Sequence, residues 1–346
     1  MFKINIFVTL PLWCLVALSL NASEVVRTPI WGLSERQGRR PEMEDDAFQS
    51  TLQLGQVVPQ AQLFGIFDGH CGPHAAQLAA RQMGGAFKTC FERLSSTITV
   101  LDKLIEQAFF VSFDALDKVI RTKYKADGAT ALSALVTNDE VYLSWIGDSR
   151  GLVVDSNGKI KCSTTDHKPD SPRELKRYSS TSVLSKQYRI RHKKGNEYYR
   201  WEIYGQDFRL GEDEKVLYCG PWRLGPLSIS RALGDREVKR GQPLIISEPE
   251  TIKTAIEVND IIVLACDGVW DVLTNYEVAS FVTKLDSLDL ATLEKEYPVF
   301  TEFTADDFSF ENGSDLKMQI IARALRDKAY EYQSSDNLSV MVIKIT

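Results

Sequence analysis

Acidic residues recur in this chain where apolar runs stop. Leu63, Phe64, Ile66 and Phe67 end at Asp68-Gly69-His70-Cys71-Gly72, and Glu140 to Ile146 runs into Gly147-Asp148-Ser149-Arg150. Ile261 to Cys266 runs into Asp267-Gly268-Val269-Trp270-Asp271, and the last apolar stretch, Leu338 to Ile345, follows Asp336-Asn337. Taken singly, Asp-Gly is foremost a turn dipeptide, so each stretch reads as a strand that ends in a turn. Four apolar strands each delivering an Asp, with Glu44 and Asp45 in a further loop, carry a different message. Converging carboxylates repel one another unless cations neutralise them. Oxygen ligands without a His or Cys cluster suit Mg2+ or Mn2+ over zinc. Asp68 is well placed to grip such an ion, because a rigid strand holds it and Gly69 leaves its own carbonyl approachable.

Positioning those acids requires strands and something to back them. An extended segment from Val25 to Ser34 leads into a loop of mixed charge, Glu35 to Asp46, for which a solvated loop is the plain reading. Thr51 to Val58 and the strand ending at Asp68 suit a meander. Ala75, Leu78, Ala79, Met83, Phe87 and Phe91 recur at helical spacing from Pro73 to Leu94, with Gly84-Gly85 as a weak point. A cleaner amphipathic helix follows through Leu101, Leu104, Ile105, Ala108, Phe109, Leu116, Val119 and Ile120. Segments 130–136, 140–146, 151–155 and 160–163 read as consecutive antiparallel strands, and 252–258, 261–266 and 338–345 add three more. Thr274 with Glu277 forms a capping-box pattern that opens a helix to about Leu285, and Leu316, Ile320, Ile321, Ala324 and Leu325 mark a last helix. Runs of strands broken by helix pairs predict an α+β fold with antiparallel sheets. Two stretches break the regularity: Ser171 to Trp222 is rich in Arg and Lys, and Asp286 to Asp315 is acidic.

A net charge of -6 and a pI near 5.5 exclude a general nucleic-acid binder. Lys3, the apolar run Ile4 to Leu20 and the small residues Asn21-Ala22-Ser23 predict a secretory signal over residues 1–22, cleaved after Ala22. The alternative is a retained anchor, which the shortness of the run and its Asn5 and Pro11 disfavour. Cys14 lies in the expected signal, leaving Cys71, Cys90, Cys162, Cys219 and Cys266, an odd set without CxxC spacing, so neither a disulfide framework nor a zinc site is expected. Cys266 reads as a small core residue.

Arg40-Pro-Glu-Met-Glu44-Asp45, Asp68-Gly-His70-Cys-Gly72, Gly128-Ala-Thr130-Ala, Gly147-Asp148-Ser-Arg150, Asp166-His-Lys-Pro169, Leu227 to Asp235, Asp267-Gly-Val-Trp-Asp271 and Asp336-Asn337 occur in this order. The set resembles the metal-dependent type 2C protein serine/threonine phosphatases over essentially everything after the signal segment. The resemblance implies one catalytic domain over residues 23–346. Its expected fold is a four-layer αββα sandwich of two antiparallel sheets flanked by pairs of antiparallel helices, with two Mg2+ or Mn2+ ions at one end. By the same resemblance Asp68 bridges both ions, Glu44 and the Gly69 carbonyl complete one shell, Asp267 and Asp336 the other, and Asp45 orients metal-bound water. Asp148 and Asp271 match positions linked to a third, weaker metal. Arg40 matches a phosphate-binding arginine, and His70 a general acid for the leaving alkoxide, with structural support of the loop as the alternative. Hydroxide shared by the two ions would attack phosphorus in line without a covalent intermediate, for which no Cys-x5-Arg nucleophile exists.

The segment after Pro169 corresponds to the family's flap but is longer and more basic than usual. Arg189, Arg191, Lys193 and Lys194 suit acidic or multiply phosphorylated substrates, against the plain reading of a solvated loop, and also resemble a short nuclear-localisation cluster. Phosphorylated proteins are the expected partners of an expected monomer, with no specific nucleic acid and no membrane span once the signal is removed. The address implies secretion or storage in a secretory organelle, with delivery to another cell and its nucleus. Sequons stand at Asn312-Gly-Ser314 and at Asn337-Leu-Ser339, the latter beside the acids, where a glycan is not tolerated. The rival function is a catalytically weak protein that uses the fold to hold a phosphorylated partner.

Overall fold

The computed structural model describes residues 27–55, 58–169, 171–180, 188–194, 197–203, 227–239, 245–298 and 314–346. The expected signal segment, Cys219, Asn312 and much of both insertions lie outside them.

Two five-stranded antiparallel sheets form the centre. One has the order β13 (Glu250–Ala255), β7 (Glu140–Ile146), β6 (Ala131–Val136), β3 (Val58–Phe67) and β2 (Asp46–Leu54). The other runs β1 (Pro29–Arg36), β15 (Leu338–Ile345), β14 (Ile261–Ala265), β8 (Arg150–Val154) and β9 (Ile160–Ser163). Side-chain alternation divides each central strand between two cores. In β3, Leu63 and Phe67 pack outward with Met83, Phe87, Phe109 and Phe113 of α1 (His74–Leu94) and α2 (Leu101–Lys123). Phe64 and Ile66 point the other way, into a layer with Leu132, Leu143, Leu264, Met341 and Ile343 between the sheets. On the far side Val263, Val340 and Val342 meet Val278 and Val282 of α5 (Asn275–Asp286) and Ile321 and Leu325 of α7 (Leu316–Glu331). Burial on both faces is why these strands read as continuous apolar runs. Truncating one of the central phenylalanines to Ala costs about 3–5 kcal/mol. The expected αββα sandwich is the observed one.

Three details differ from the sequence reading. The helix α1 runs unbroken through Gly84-Gly85, because Gly84 lets Ser50 of β2 approach: a Cβ there would stand 3.0 Å from the Ser50 hydroxyl. The segments 140–146 and 151–155, read as consecutive antiparallel strands, do not pair with each other, since β7 and β8 belong to different sheets. Gly147, at φ +93°, makes the crossing, and a Cβ on it would lie 2.6 Å from Thr130. Third, the insertions contain regular structure: α3 (Pro172–Ser180), a hairpin of β10 (Tyr188–Lys194) with β11 (Glu197–Ile203), and α6 (Leu290–Glu296). The capping box at Thr274 forms as expected, with Thr274 N–H donating to Glu277 Oε2 at 2.8 Å and Glu277 N–H to Thr274 Oγ1 at 3.3 Å.

Candidate active site

The acid-tipped strands converge at one end of the sandwich. Asp68 leaves β3, Asp148 lies in the crossing from β7 to β8, Asp267 opens the single turn α4 (Asp267–Trp270) after β14, and Asp336 precedes β15. Asp68, Asp148 and Asp267 each offer a carboxylate oxygen, all within 4.8 Å of one another. Their backbones are pinned across the sheets. Asp68 N–H donates to Thr130 Oγ1 at 3.2 Å and its carbonyl accepts from Thr130 N–H at 2.9 Å, while Thr130 Oγ1 meets Ser149 Oγ at 2.7 Å. Burial, then repulsion from Asp267, Asp45, Asp148 and Asp336, holds the Asp68 carboxyl well above its usual range. Asp267 is raised in the same way, by burial and then by Asp148, Asp271 and Asp336. Asp45 is buried and pushed up to about 7, chiefly by desolvation, although hydrogen bonds from Ser339 and Cys266 oppose the shift. Asp271 stands exposed at the rim, its N–H bonded to the Asp267 carbonyl at 2.8 Å. Oxygen donors this close, with Asp68 and Asp267 made reluctant to ionise by burial and by their neighbours, fit a hard divalent cation.

The loop before β2 closes over this end. Asn337 staples it: Oδ1 accepts from Glu44 N–H at 2.9 Å, and Nδ2 donates to the carbonyls of Gln37 and Glu42 at 2.8 and 2.9 Å. Nδ2 is the atom that would carry a glycan at this sequon, so the folded site leaves no room for one. Glu44 Oε1 accepts from Gly72 N–H at 2.6 Å, and Gly69 packs so close that a Cβ on it would lie 2.2 Å from the Glu44 carbonyl oxygen. The loop and the Asp68-Gly69 corner are therefore one unit. Arg40, half exposed, forms an ion pair with Asp336, a contact between two residues to which the family resemblance assigns separate tasks. Cys266 is buried, as expected of a core residue, and donates to the Asn337 carbonyl at 3.4 Å.

Two functional candidates were missed from sequence. Asp235, only 2% exposed, faces His70: both of its carboxylate oxygens lie 3.0 Å from His70 Nε2. A small sheet of β12 (Leu233–Gly234), β5 (Gly128–Ala129) and β4 (Gly69–His70) sets this distance. A Cβ on Gly128 would fall 2.3 Å from His70 Nε2 and 2.4 Å from Asp235 Oδ2. Its place at the end of the Leu227 to Asp235 motif was the available signal. The other is Lys168, whose ammonium forms an ion pair with the buried Asp148. Burial works against that charge, yet Asp148, then Asp267 and Asp271, hold it above the ordinary lysine range.

A second acid cluster lies beside the first. His167, Glu174 and Glu250 also bring ligand atoms within 4.8 Å of one another, but Arg231 already occupies the middle. Arg231 Nη2 is 2.5 Å from Glu174 Oε1 and 2.9 Å from Glu250 Oε1, and Arg177 adds a contact of 2.7 Å to Glu174. Desolvation raises Glu174 and Glu250; Arg231 and Arg177 outweigh it at Glu174, and His167, then Arg231 and Arg173, at Glu250, so both carboxyls are lowered. His167, lowered by burial, accepts from Gly147 N–H at Nδ1 (3.2 Å), so its neutral ring carries the proton on Nε2, 3.2 Å from Glu250.

A four-layer αββα sandwich with an acid-lined cleft at one end defines the class of metal-dependent phosphatase folds. The protein phosphatase 2C family model matches residues 31–338, and the chain belongs to that family, whose members are serine/threonine phosphatases. Among curated relatives, Probable protein phosphatase 2C 55 of Oryza sativa subsp. japonica is 30% identical over 80% of this chain and 63% of its own. Probable protein phosphatase 2C 76 of Arabidopsis thaliana is 28% identical over 90% and 58%. The chain thus spans about three-fifths of the length of these relatives. Among solved structures, a serine-threonine phosphatase 2C from Toxoplasma gondii superposes with a TM-score of 0.60 at 19% identity, covering 93% of this chain and 98% of the other. A C. elegans sex determining protein gives 0.61 at 22%, covering 92% and 65%. At these identities the likeness to the solved structures is one of fold.

Proposed function

We propose that the chain is a Mg2+- or Mn2+-dependent protein serine/threonine phosphatase that hydrolyses phosphoserine and phosphothreonine by direct attack of water. The observation that carries this is the convergence of Asp68, Asp148 and Asp267 within one ligand sphere, with no guanidinium among them. Asp68, Glu44, the Gly69 carbonyl, Asp267 and Asp336 would hold two ions, and Asp148 with Asp271 a weaker third. Such ions, when bound, neutralise phosphate charge and make water nucleophilic at neutral pH. The chain's own groups do the rest. Arg40 presents a half-exposed guanidinium at the mouth, suited to bidentate contact with a phosphoryl group. Asp45, packed under Ser339, orients the attacking water. His70 is held through Nε2 by Asp235, so Nδ1 is the atom offered to the leaving oxygen.

The test is hydrolysis of a phosphothreonine peptide with Mn2+, with Asp68→Asn as control. Activity in wild type that both EDTA and the substitution abolish is the expected result. Binding of the phosphopeptide without turnover would favour the holding protein instead, and EDTA-resistant turnover would overturn the mechanism.

Two finer readings belong to the same proposal. The basic segment Arg189 to Lys194 lies on a hairpin and suits acidic or multiply phosphorylated substrates, so reversing Arg189, Arg191, Lys193 and Lys194 should weaken activity on those alone. Export through the secretory pathway is proposed from residues 1–22, and diffuse cytosolic localisation of the tagged full-length protein would count against it.

A further inference from the structure

Lys168 is presented to the acid cleft by a built support. The carbonyl of His167 accepts from Ser230 N–H and Ser230 Oγ, both at 2.9 Å, and its N–H donates to the Gly147 carbonyl at 2.9 Å. Its ring stacks on Trp145 with centroids 5.6 Å apart and planes 7° apart. Beyond Lys168, Glu174 of α3 is fixed by Arg231. A residue held on both sides in this way has little freedom to swing its side chain elsewhere. Its ammonium meets Asp148, the acid that also shares a ligand sphere with Asp68 and Asp267. One carboxylate therefore has two claimants: a divalent ion drawn to the cleft and a cation that the chain itself supplies.

The contrast inside the cleft is sharp. The Asp68 side has no ammonium in contact among the described residues, whereas the Asp148 side does. We infer that Lys168 is the resident cation of the Asp148–Asp271 side and competes with a divalent ion there, so that it limits how many metals the site binds tightly. A metal on that side must displace a partly buried ammonium from a buried carboxylate, losing a favourable pair before gaining its own. On the Asp68 side the one such contact among the described residues is the half-exposed Arg40 on Asp336 at the mouth, whereas Lys168 sits on a buried carboxylate. This inference rests on the metal-centre reading, and the experiment separates the two.

Mn2+ stoichiometry is measured on the full chain by electron paramagnetic resonance of free Mn2+ during titration, without substrate. Wild type is expected to take up two ions tightly and a third weakly. Lys168→Met should tighten the third by about tenfold or more, Lys168→Arg should keep the wild-type isotherm, and Asp148→Asn added to Lys168→Met should remove the gain. An unchanged or weaker third ion in Lys168→Met overturns the competition and leaves Lys168 as a brace for Asp148. If wild type takes up no Mn2+, the metal-centre reading fails as well. Lys168→Gln serves as a second neutral variant should Lys168→Met not fold, and a thermal melt in EDTA reports folding for each.

Discussion

Two acid clusters lie side by side in this molecule and have opposite electrostatics. In the cluster of Glu174, Glu250 and His167 the chain supplies its own counter-charge, Arg231, and the carboxyls are held below their usual range. At Asp68 and Asp267 the chain supplies almost none, and the carboxyls are held far above it. Equal proximity of acids thus means two things. Where a guanidinium fills the centre, the cluster is a strut that holds α3 to the sandwich; where none does, the folded chain holds carboxylates in mutual repulsion, a cost that a ligand can relieve.

The most severe way to break this comparison is to remove the pivot. Asp68→Asn should lower phosphatase activity by about three orders of magnitude, the scale of lost transition-state charge stabilisation, while raising the melting temperature of the EDTA-treated protein by relieving repulsion. Kinetics and calorimetry on one preparation check both halves, and a loss of metal-free stability would break the contrast. The same acid-to-amide change in the other cluster should do the reverse. Glu174→Gln leaves Arg231 short of a buried partner and should cost about 3–5 kcal/mol in denaturant unfolding, with or without Mn2+.

Smaller effects follow from titration. Asp45 has a folded pKa of about 7 against an ordinary value of 3.8, so the stability linked to its protonation is complete below about pH 4 and is lost as pH rises through about 7. Glu174 and Glu250 are lowered, and their contribution is lost only as pH falls below the ordinary carboxylate range. Metal-free protein should therefore melt highest near about pH 5 and lower at about pH 8, a slope that Mn2+ flattens or reverses. Mildest is Arg173→Ala. Arg173 reaches Glu250 from a side chain 73% exposed, and its removal should cost less than about 1 kcal/mol in the same unfolding assay.

What was legible in the sequence follows the same division. Asp68, Asp148 and Asp267 could be read because each follows a strand of buried apolar residues, and Asp336 because it stands just before one, a local signal of acid at the end of an apolar run. Glu174 could not, because its partner Arg231 lies 57 residues away. Charge pairing at that separation leaves no periodicity, and α3 was read as part of an irregular basic stretch. Lys168 was visible in its motif without a task, since only the crossing at Gly147 brings it to Asp148. The two strands on either side of that crossing were read simply as consecutive antiparallel strands, because a glycine at positive φ serves a turn within one sheet or a crossing between two. Asp235 likewise acquired a role only when the three-stranded sheet set it against His70.

The pairing of β1 with β15 ties the beginning of the described chain to its end, with Trp31 opposite Ile343 and Arg36 opposite Leu338. Because β15 sits between β1 and β14, its sheet lacks an inner strand until Leu338–Ile345 pairs. Contacts across so much sequence carry a large loop-closure cost and form late. Asp336 and Asn337 lead directly into that strand, so the acids of the cleft come together only once this long-range pairing has formed. A truncation before Asp336 should therefore leave a protein that neither closes this sheet nor assembles its acids, checked by thermal melting and Mn2+ uptake of the truncated chain.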